Sequence, residues 1–140
     1  MSRNSLVLKI RREHLDEIFE VARKFYPIEA CGILVGKANE REKIVAKVYH
    51  TKNILASSLA YQVDPIEQLR VFEDAEREGS NILGFYHSHP FWDSFWSKVD
   101  EERSKYWVGY SYLIISLTTG NATSYIRYSN KVEIEELAVL

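Results

Sequence analysis

Apolar and polar positions recur along this chain with two different periods, and the switches between them divide it into strands and helices. Leu6-Val7-Leu8-Lys9-Ile10 reads as a first strand. Residues 12–26 then carry Leu15, Ile18, Phe19, Ala22 and Phe25 at helical spacing, until Pro27 ends the helix. Two strands are expected near 30–36 and 42–49, with Gly36 and the polar Lys37-Ala38-Asn39-Glu40 between them as a hairpin connection. A second helix runs from Pro65 to Gly79, with Ile66, Leu69, Val71 and Phe72 available for its apolar side. Ile82-Leu83-Gly84-Phe85-Tyr86 forms a mostly apolar strand, and a short helix starts at Ser97. Strands near 112–117 and 122–128 flank a turn at Thr119-Gly120-Asn121. In the tail, Val132, Glu133, Ile134 and Glu135 alternate, which predicts a half-exposed last strand. This succession predicts an α/β protein, a single-domain mixed β-sheet flanked by helices across residues 1–140.

Composition narrows the partners. A chain of 140 residues that is 46% hydrophobic can bury a substantial core without a second domain. Its 18 basic and 20 acidic residues leave a net charge of -2, with no excess to attract phosphate backbones, so no nucleic acid partner is expected. Met1-Ser2-Arg3-Asn4-Ser5 and the short strand after it contain no long apolar segment, so the expectation is a cytoplasmic protein without membrane attachment. The single cysteine, Cys31, cannot form an internal disulfide. It sits in an apolar run, where it reads as a small buried hydrophobe, the alternative being a redox or metal role.

Chemistry concentrates between residues 87 and 100. His87 and His89 alternate with Ser88, so in an extended strand both imidazoles project to one face and Ser88 to the other. Pro90 cannot continue a ladder, so the chain turns there. Six residues later Ser97-Lys98-Val99-Asp100 would put Asp100 in the first turn of a helix, within reach as a third metal ligand. Each half also has a plainer reading: Ser97 with Asp100 is an ordinary helix cap, and paired histidines can be polar positions at a strand end. Together, five matched positions recur by chance with a probability on the order of 1 in 100,000. Three protein ligands would leave the fourth position of a tetrahedral zinc open for water, the arrangement of catalytic sites. His14 and His50 read as surface groups, and Asp93 falls in the loop between the two halves of the pattern.

The pattern His87-Ser88-His89-Pro90, six residues, Ser97, two residues, Asp100 resembles the JAMM motif of the MPN+ metalloproteases. Glu29, at the mouth of Ala30-Cys31-Gly32-Ile33-Leu34-Val35-Gly36, matches the family's upstream glutamate. The resemblance extends over nearly the whole chain. It implies the MPN/JAMM fold, which is cytidine-deaminase-like, and one Zn2+ per chain on His87, His89 and Asp100. It implies Glu29 as the proton carrier and Ser97 as a hydrogen-bond donor to the developing oxyanion, not a nucleophile. The implied reaction is hydrolysis of an isopeptide or peptide bond after the Gly-Gly tail of a ubiquitin-like modifier, so the implied partners are such modifiers and their lysine conjugates. The connection at 53–64, especially Ser57, Ser58, Leu59, Ala60 and Tyr61, corresponds to the family's tail-binding insertion, against its reading as a plain surface loop. The aromatic loop with Phe91, Trp92, Phe95 and Trp96 either packs under the site or docks the modifier or a second copy in a homodimer. The family's long second insertion is absent. Two alternatives remain: a processing peptidase for sulfur-carrier proteins, and a non-catalytic MPN binding scaffold.

Overall fold

The computed structural model describes residues 6–140; the N-terminal residues Met1 to Ser5 used above lie outside the described residues. In chain order the elements are β1 (Val7–Ile10), α1 (Arg12–Phe25), β2 (Cys31–Ala38), β3 (Glu42–Thr51), α2 (Pro65–Glu78), β4 (Asn81–His89), α3 (Lys98–Ser104), β5 (Ser111–Ser116), β6 (Ala122–Arg127) and β7 (Val132–Val139). The strands are ordered β1-β3-β2-β4-β5-β6-β7. Pairing of β1 with β7 in parallel, from Val7 opposite Glu136 to Ile10 opposite Val139, closes the sheet. The expected mixed sheet with helices is found, but the sheet closes into a seven-stranded barrel instead of being simply flanked, because the last strand finds the first one's free edge.

Strand alternation builds two cores. Leu34 on β2 and Leu113 and Ile115 on β5 face a cluster with Leu8, Ile10 and the Leu15, Ile18 and Ala22 stripe of α1. Cys31, Ile33 and Val35, with Tyr112 and Ile114, face a second cluster with Val71 and Ala75 of α2. On β4 the alternation is reset by a bulge: Leu34 pairs with Gly84 and Val35 with Ile82, so Leu83 opposes no residue of β2. The reset turns Leu83 to the α1 cluster and Phe85 to the α2 cluster. Gly84 is required where β4 meets β5, since a Cβ there would lie 1.9 Å from the Ser111 carbonyl oxygen.

Two expected faces are corrected. On α2 only Val71 and Ala75 are buried with Phe72 partly so, while Ile66 and Leu69 are exposed, as is Phe25 at the end of α1. On β7 burial does not follow the alternation: Val132 packs partly buried against the α2 cluster, Glu133 and Ile134 are both exposed, and Glu135 is buried. Glu135 Oε1 accepts from the hydroxyls of Ser111 and Ser124, each at 2.8 Å, and Ser111 Oγ in turn accepts from buried Lys43 at 2.7 Å. A hydrogen-bonded polar cluster, in which only Glu135 Oε2 lacks a partner among the described residues, thus fills this level of the barrel. No helix among the described residues is long and apolar enough to cross a membrane.

The ends of α2 follow from its sequence. Asp64 caps it by accepting from the Ile66 and Glu67 N–H groups, Pro65 fits the first turn, and Gly79 stops it in the left-handed region at φ 69°. Anchored this way, α2 covers β4 on the face that carries the histidines.

Candidate metal centre

β4 delivers His87 and His89 to its C-terminal end on the α2 face, both fully enclosed. The carboxylate comes from the first turn of α3. There Ser97 and Asp100 form a reciprocal capping box: Ser97 Oγ accepts from the Asp100 N–H at 3.0 Å, and Asp100 Oδ2 accepts from the Ser97 N–H at 2.9 Å. The two readings of this pair are thus compatible, since the cap fixes the rotamer that turns Asp100 toward the imidazoles. Its Oδ1 stands 2.8 Å from His87 Nε2 and its Oδ2 3.4 Å from His89 Nε2. All three donor atoms lie within 4.8 Å of one another.

The residues fit a metal ion. Both ring nitrogens of His87 are buried; among the described residues Nδ1 has no hydrogen-bond partner, and Nε2 faces only the Asp100 carboxylate, out of line for a good hydrogen bond. A buried polar atom in that situation is costly unless a cation lies between the donors. Two imidazoles and a carboxylate are also the donor set of open, borderline-soft sites such as those of zinc. His89 Nδ1 donates to the Asp93 carbonyl at 2.8 Å, which leaves Nε2 free to ligate. Asp93 stands outside the cluster of donor atoms and orients the His89 ring through its carbonyl. Its carboxylate accepts from the Ser94 N–H, the Thr119 hydroxyl and the Asn121 amide, which hold it below the usual carboxylate range.

Charges agree with this arrangement. Burial lowers the His87 pKa despite Asp100 beside it, so its imidazole is neutral at physiological pH, the form that binds metal. Burial pushes Asp100 up, but the His87 and His89 rings and the Ser97 N–H outweigh it and hold the carboxyl well below its ordinary value. Glu29 is buried, and that burial, with the Asp100 charge second, pushes its carboxyl up to about 9. A cation at the triad would pull it back toward a working base.

Glu29 is held at the start of β2 by its backbone. Its N–H donates to the Ser57 carbonyl at 2.9 Å, and its carbonyl accepts from the Asn53 amide at 3.0 Å. Next to it, the Ala30 N–H donates to Ser88 Oγ at 2.8 Å, tying Glu29 to the strand between the two histidines. These positioning roles of Asn53, Ser57, Ser88 and Asp93 were missed by sequence reasoning; only the Ser88 position, inside the motif, carried any signal.

The connection at 53–64 places its residues unequally. Tyr61 is buried and its ring stacks on His87 with centroids 4.3 Å apart, whereas Leu59 is exposed and Ser57, Ser58 and Ala60 are half-buried. The aromatic loop also divides. Trp96 packs on Tyr112 and Tyr125 and donates to Glu101, and Trp92 is half-buried, while Phe91 meets Tyr26 and Phe95 lies over His89, both largely exposed. Tyr61 and Phe95 thus flank the histidines. His50, expected at the surface, is half-buried and joins Tyr86 Oη at 2.6 Å to Glu17 at 3.1 Å, and His14 Nδ1 is buried as well. Cys31 is buried, its thiol pushed up to about 11 by burial, and stands outside the triad.

A closed mixed barrel with a buried His-His-Asp cluster and a neighbouring buried glutamate is the arrangement of a JAB/MPN metalloprotease-type hydrolase. The chain belongs to the family of prokaryotic homologs of the JAB domain, whose model matches residues 11–128. It is 39% identical over 116 residues to a desampylase of Haloferax volcanii, covering 82% of this chain and 81% of that protein. It is 33% identical over 108 residues to a probable TtuB-protein conjugate cleaving protease of Thermus thermophilus, covering 76% and 70%. A protein of Desulfitobacterium hafniense with a known solution structure superposes with a TM-score of 0.84 at 31% identity, covering 96% of this chain and 92% of that one.

Proposed function

We propose that this chain is a zinc-dependent isopeptidase and peptidase that cleaves after the Gly-Gly tail of ubiquitin-like small modifiers, freeing them from lysine conjugates in the cytoplasm. The observation that carries the reading is the buried triad of His87, His89 and Asp100, with His87 Nε2 2.8 Å from Asp100 Oδ1 and Glu29 close enough to feel the Asp100 charge. The similarity to a desampylase and to a conjugate-cleaving protease supports the substrate class.

In this reading His87, His89 and Asp100 hold one zinc ion, which supplies Lewis acidity to water and to the scissile carbonyl. Glu29 takes the proton from the attacking water and hands it to the departing amine. Ser97 Oγ accepts from the Asp100 N–H, so its own proton is free to be donated to the oxyanion. The modifier tail lies along Ser57 to Tyr61 by strand addition, where Tyr61 closes over His87. Exposed Phe91 and Phe95, on the other side of the histidines, meet the conjugated protein.

Purified protein should cleave a modifier-lysine isopeptide conjugate, lose that activity to a chelator and regain it with zinc. Glu29→Gln should lose at least about a hundredfold in kcat while retaining zinc. His89→Ala and Asp100→Ala should lose both. Full activity in Glu29→Gln would remove Glu29 as the proton carrier, and no cleavage by zinc-loaded protein would leave a binding scaffold.

A further inference from the structure

A cavity of about 310 Å³ adjoins the metal centre on the α2 side. Tyr61, the residue stacked on His87, forms one wall, Tyr112 and Trp107 form others, and Gln62, Gln68 and Arg103 line it with polar groups. Its size suits one or two residues of an extended chain, not a folded partner.

Arg103 is the unusual member. It follows Asp100 by three residues on α3, which brings it to the same side of the helix. Two neighbouring acids are engaged elsewhere, since Glu101 accepts from Trp96 and Arg127 and Glu102 pairs with Lys105, while the Arg103 charge also reaches Glu29 and opposes the upward push on its carboxyl. Among the described residues Arg103 has no ion pair or hydrogen bond, and the side-chain amides of Gln62 and Gln68 have no partner either. The guanidinium fork matches a carboxylate through two parallel hydrogen bonds. Aromatic walls that thin the surrounding water strengthen such a pair.

We infer that Arg103 is a specificity-determining residue that receives a substrate carboxylate in this cavity, with Gln62 and Gln68 as accessory donors. The inference rests on the reading of this chain as a Gly-Gly-directed peptidase. The carboxylate has two sources: an acidic side chain in the modifier tail before Gly-Gly, or the free α-carboxylate of a residue linked linearly after it. An arginine three residues from a metal ligand selects substrates at the reacting end, where a difference in binding is felt in the rate.

The test uses a Gly-Gly-ended ubiquitin-like modifier in two substrate series. One series is joined to lysine through an isopeptide bond and carries glutamate or glutamine at each tail position in turn. The other carries a single linear residue as the free acid or as its amide. kcat/KM is measured for zinc-loaded wild type, Arg103→Gln and Arg103→Glu. In wild type one acid should be favoured over its amide by roughly tenfold, the ratio given by a charge-assisted hydrogen bond. That ratio should fall to near unity in Arg103→Gln and invert in Arg103→Glu; because the Arg103 charge also acts on Glu29, each acid is compared with its amide within one protein, so that a general change in rate cancels. A preference confined to tail glutamate assigns the side-chain source, and one confined to the free acid assigns the terminal source. Brisk cleavage by wild type with no acid preference overturns the inference and leaves the peptidase reading standing. Cleavage of no substrate overturns both.

Discussion

Ser88 stands between the two imidazoles in sequence but on the opposite face of β4, and its hydroxyl accepts from the Ala30 N–H one residue beyond Glu29. Removing it leaves a buried backbone donor unpaired, at about 1–3 kcal/mol, and frees Glu29 relative to the histidines. Ser88→Ala should therefore lower kcat while zinc content, read by metal analysis, is unchanged, and Ser88→Thr, which keeps the hydroxyl, should restore it. Loss of zinc in Ser88→Ala would instead mean that the serine supports the ligands. The cluster of His87, His89 and Asp100 was legible because spacing places two imidazoles on one strand face and a carboxylate in a first helical turn, and the resemblance joined the two. Asp93 and Ser57 were not legible, because each contributes a carbonyl oxygen that every residue type carries. The Tyr61 stack on His87 needed the 53–64 connection to fold back across the site, which no period announces.

β7 shows where element-level reading stops. Its period of two was visible and predicted a half-exposed strand, but the period does not tell that a charged residue, Glu135, is the one enclosed. The inside of the barrel at that level is polar: Glu135 binds two hydroxyls from β5 and β6, and Lys43 from β3 donates to Ser111 and to the Gly109 carbonyl. Burial lowers the Lys43 pKa, with the Glu135 charge opposing it. Glu135→Ala should therefore destabilise the protein by about 3–5 kcal/mol, because it strands a buried cation along with two hydroxyls. Urea unfolding would read this as a lower midpoint at unchanged slope. Glu135→Met combined with Lys43→Met should recover much of the loss, since removing both charges avoids the unpaired one. A double variant as unstable as the sum of the singles would show that the cluster acts through packing and not through charge. The strands and helices themselves were legible from their periods and punctuation. The β4 bulge at Leu83 was not, because it depends on register against β2.

At the scale of the whole molecule, the site joins parts of the chain that the barrel brings together: Glu29 before β2, the histidines at the end of β4 and Asp100 on α3. Closure by β1 and β7 was not legible, since parallel pairing of the two chain ends leaves no local signal. A ligand that binds only the assembled triad must stabilise the whole fold. At a thousandfold excess over its Kd, zinc should add about 4 kcal/mol, a rise in Tm on the order of 10 °C for a chain of this size. His87 and Asp100 both have lowered pKa values, so at neutral pH neither has to shed a proton first, and the rise should persist across the neutral range. Asp100→Asn separates the two roles of that residue. Its amide oxygen can still accept from the Ser97 N–H and cap α3, but it cannot supply a charged ligand. This variant should therefore unfold near the wild-type Tm without zinc, yet gain little when zinc is added. Ser97→Ala should show the reverse, a lower starting Tm from the lost cap and most of the zinc increment retained. Scanning calorimetry of the three proteins with and without zinc reads all of this at once. An equal increment in Asp100→Asn and wild type would take Asp100 out of the ligand set and leave it as the helix cap alone.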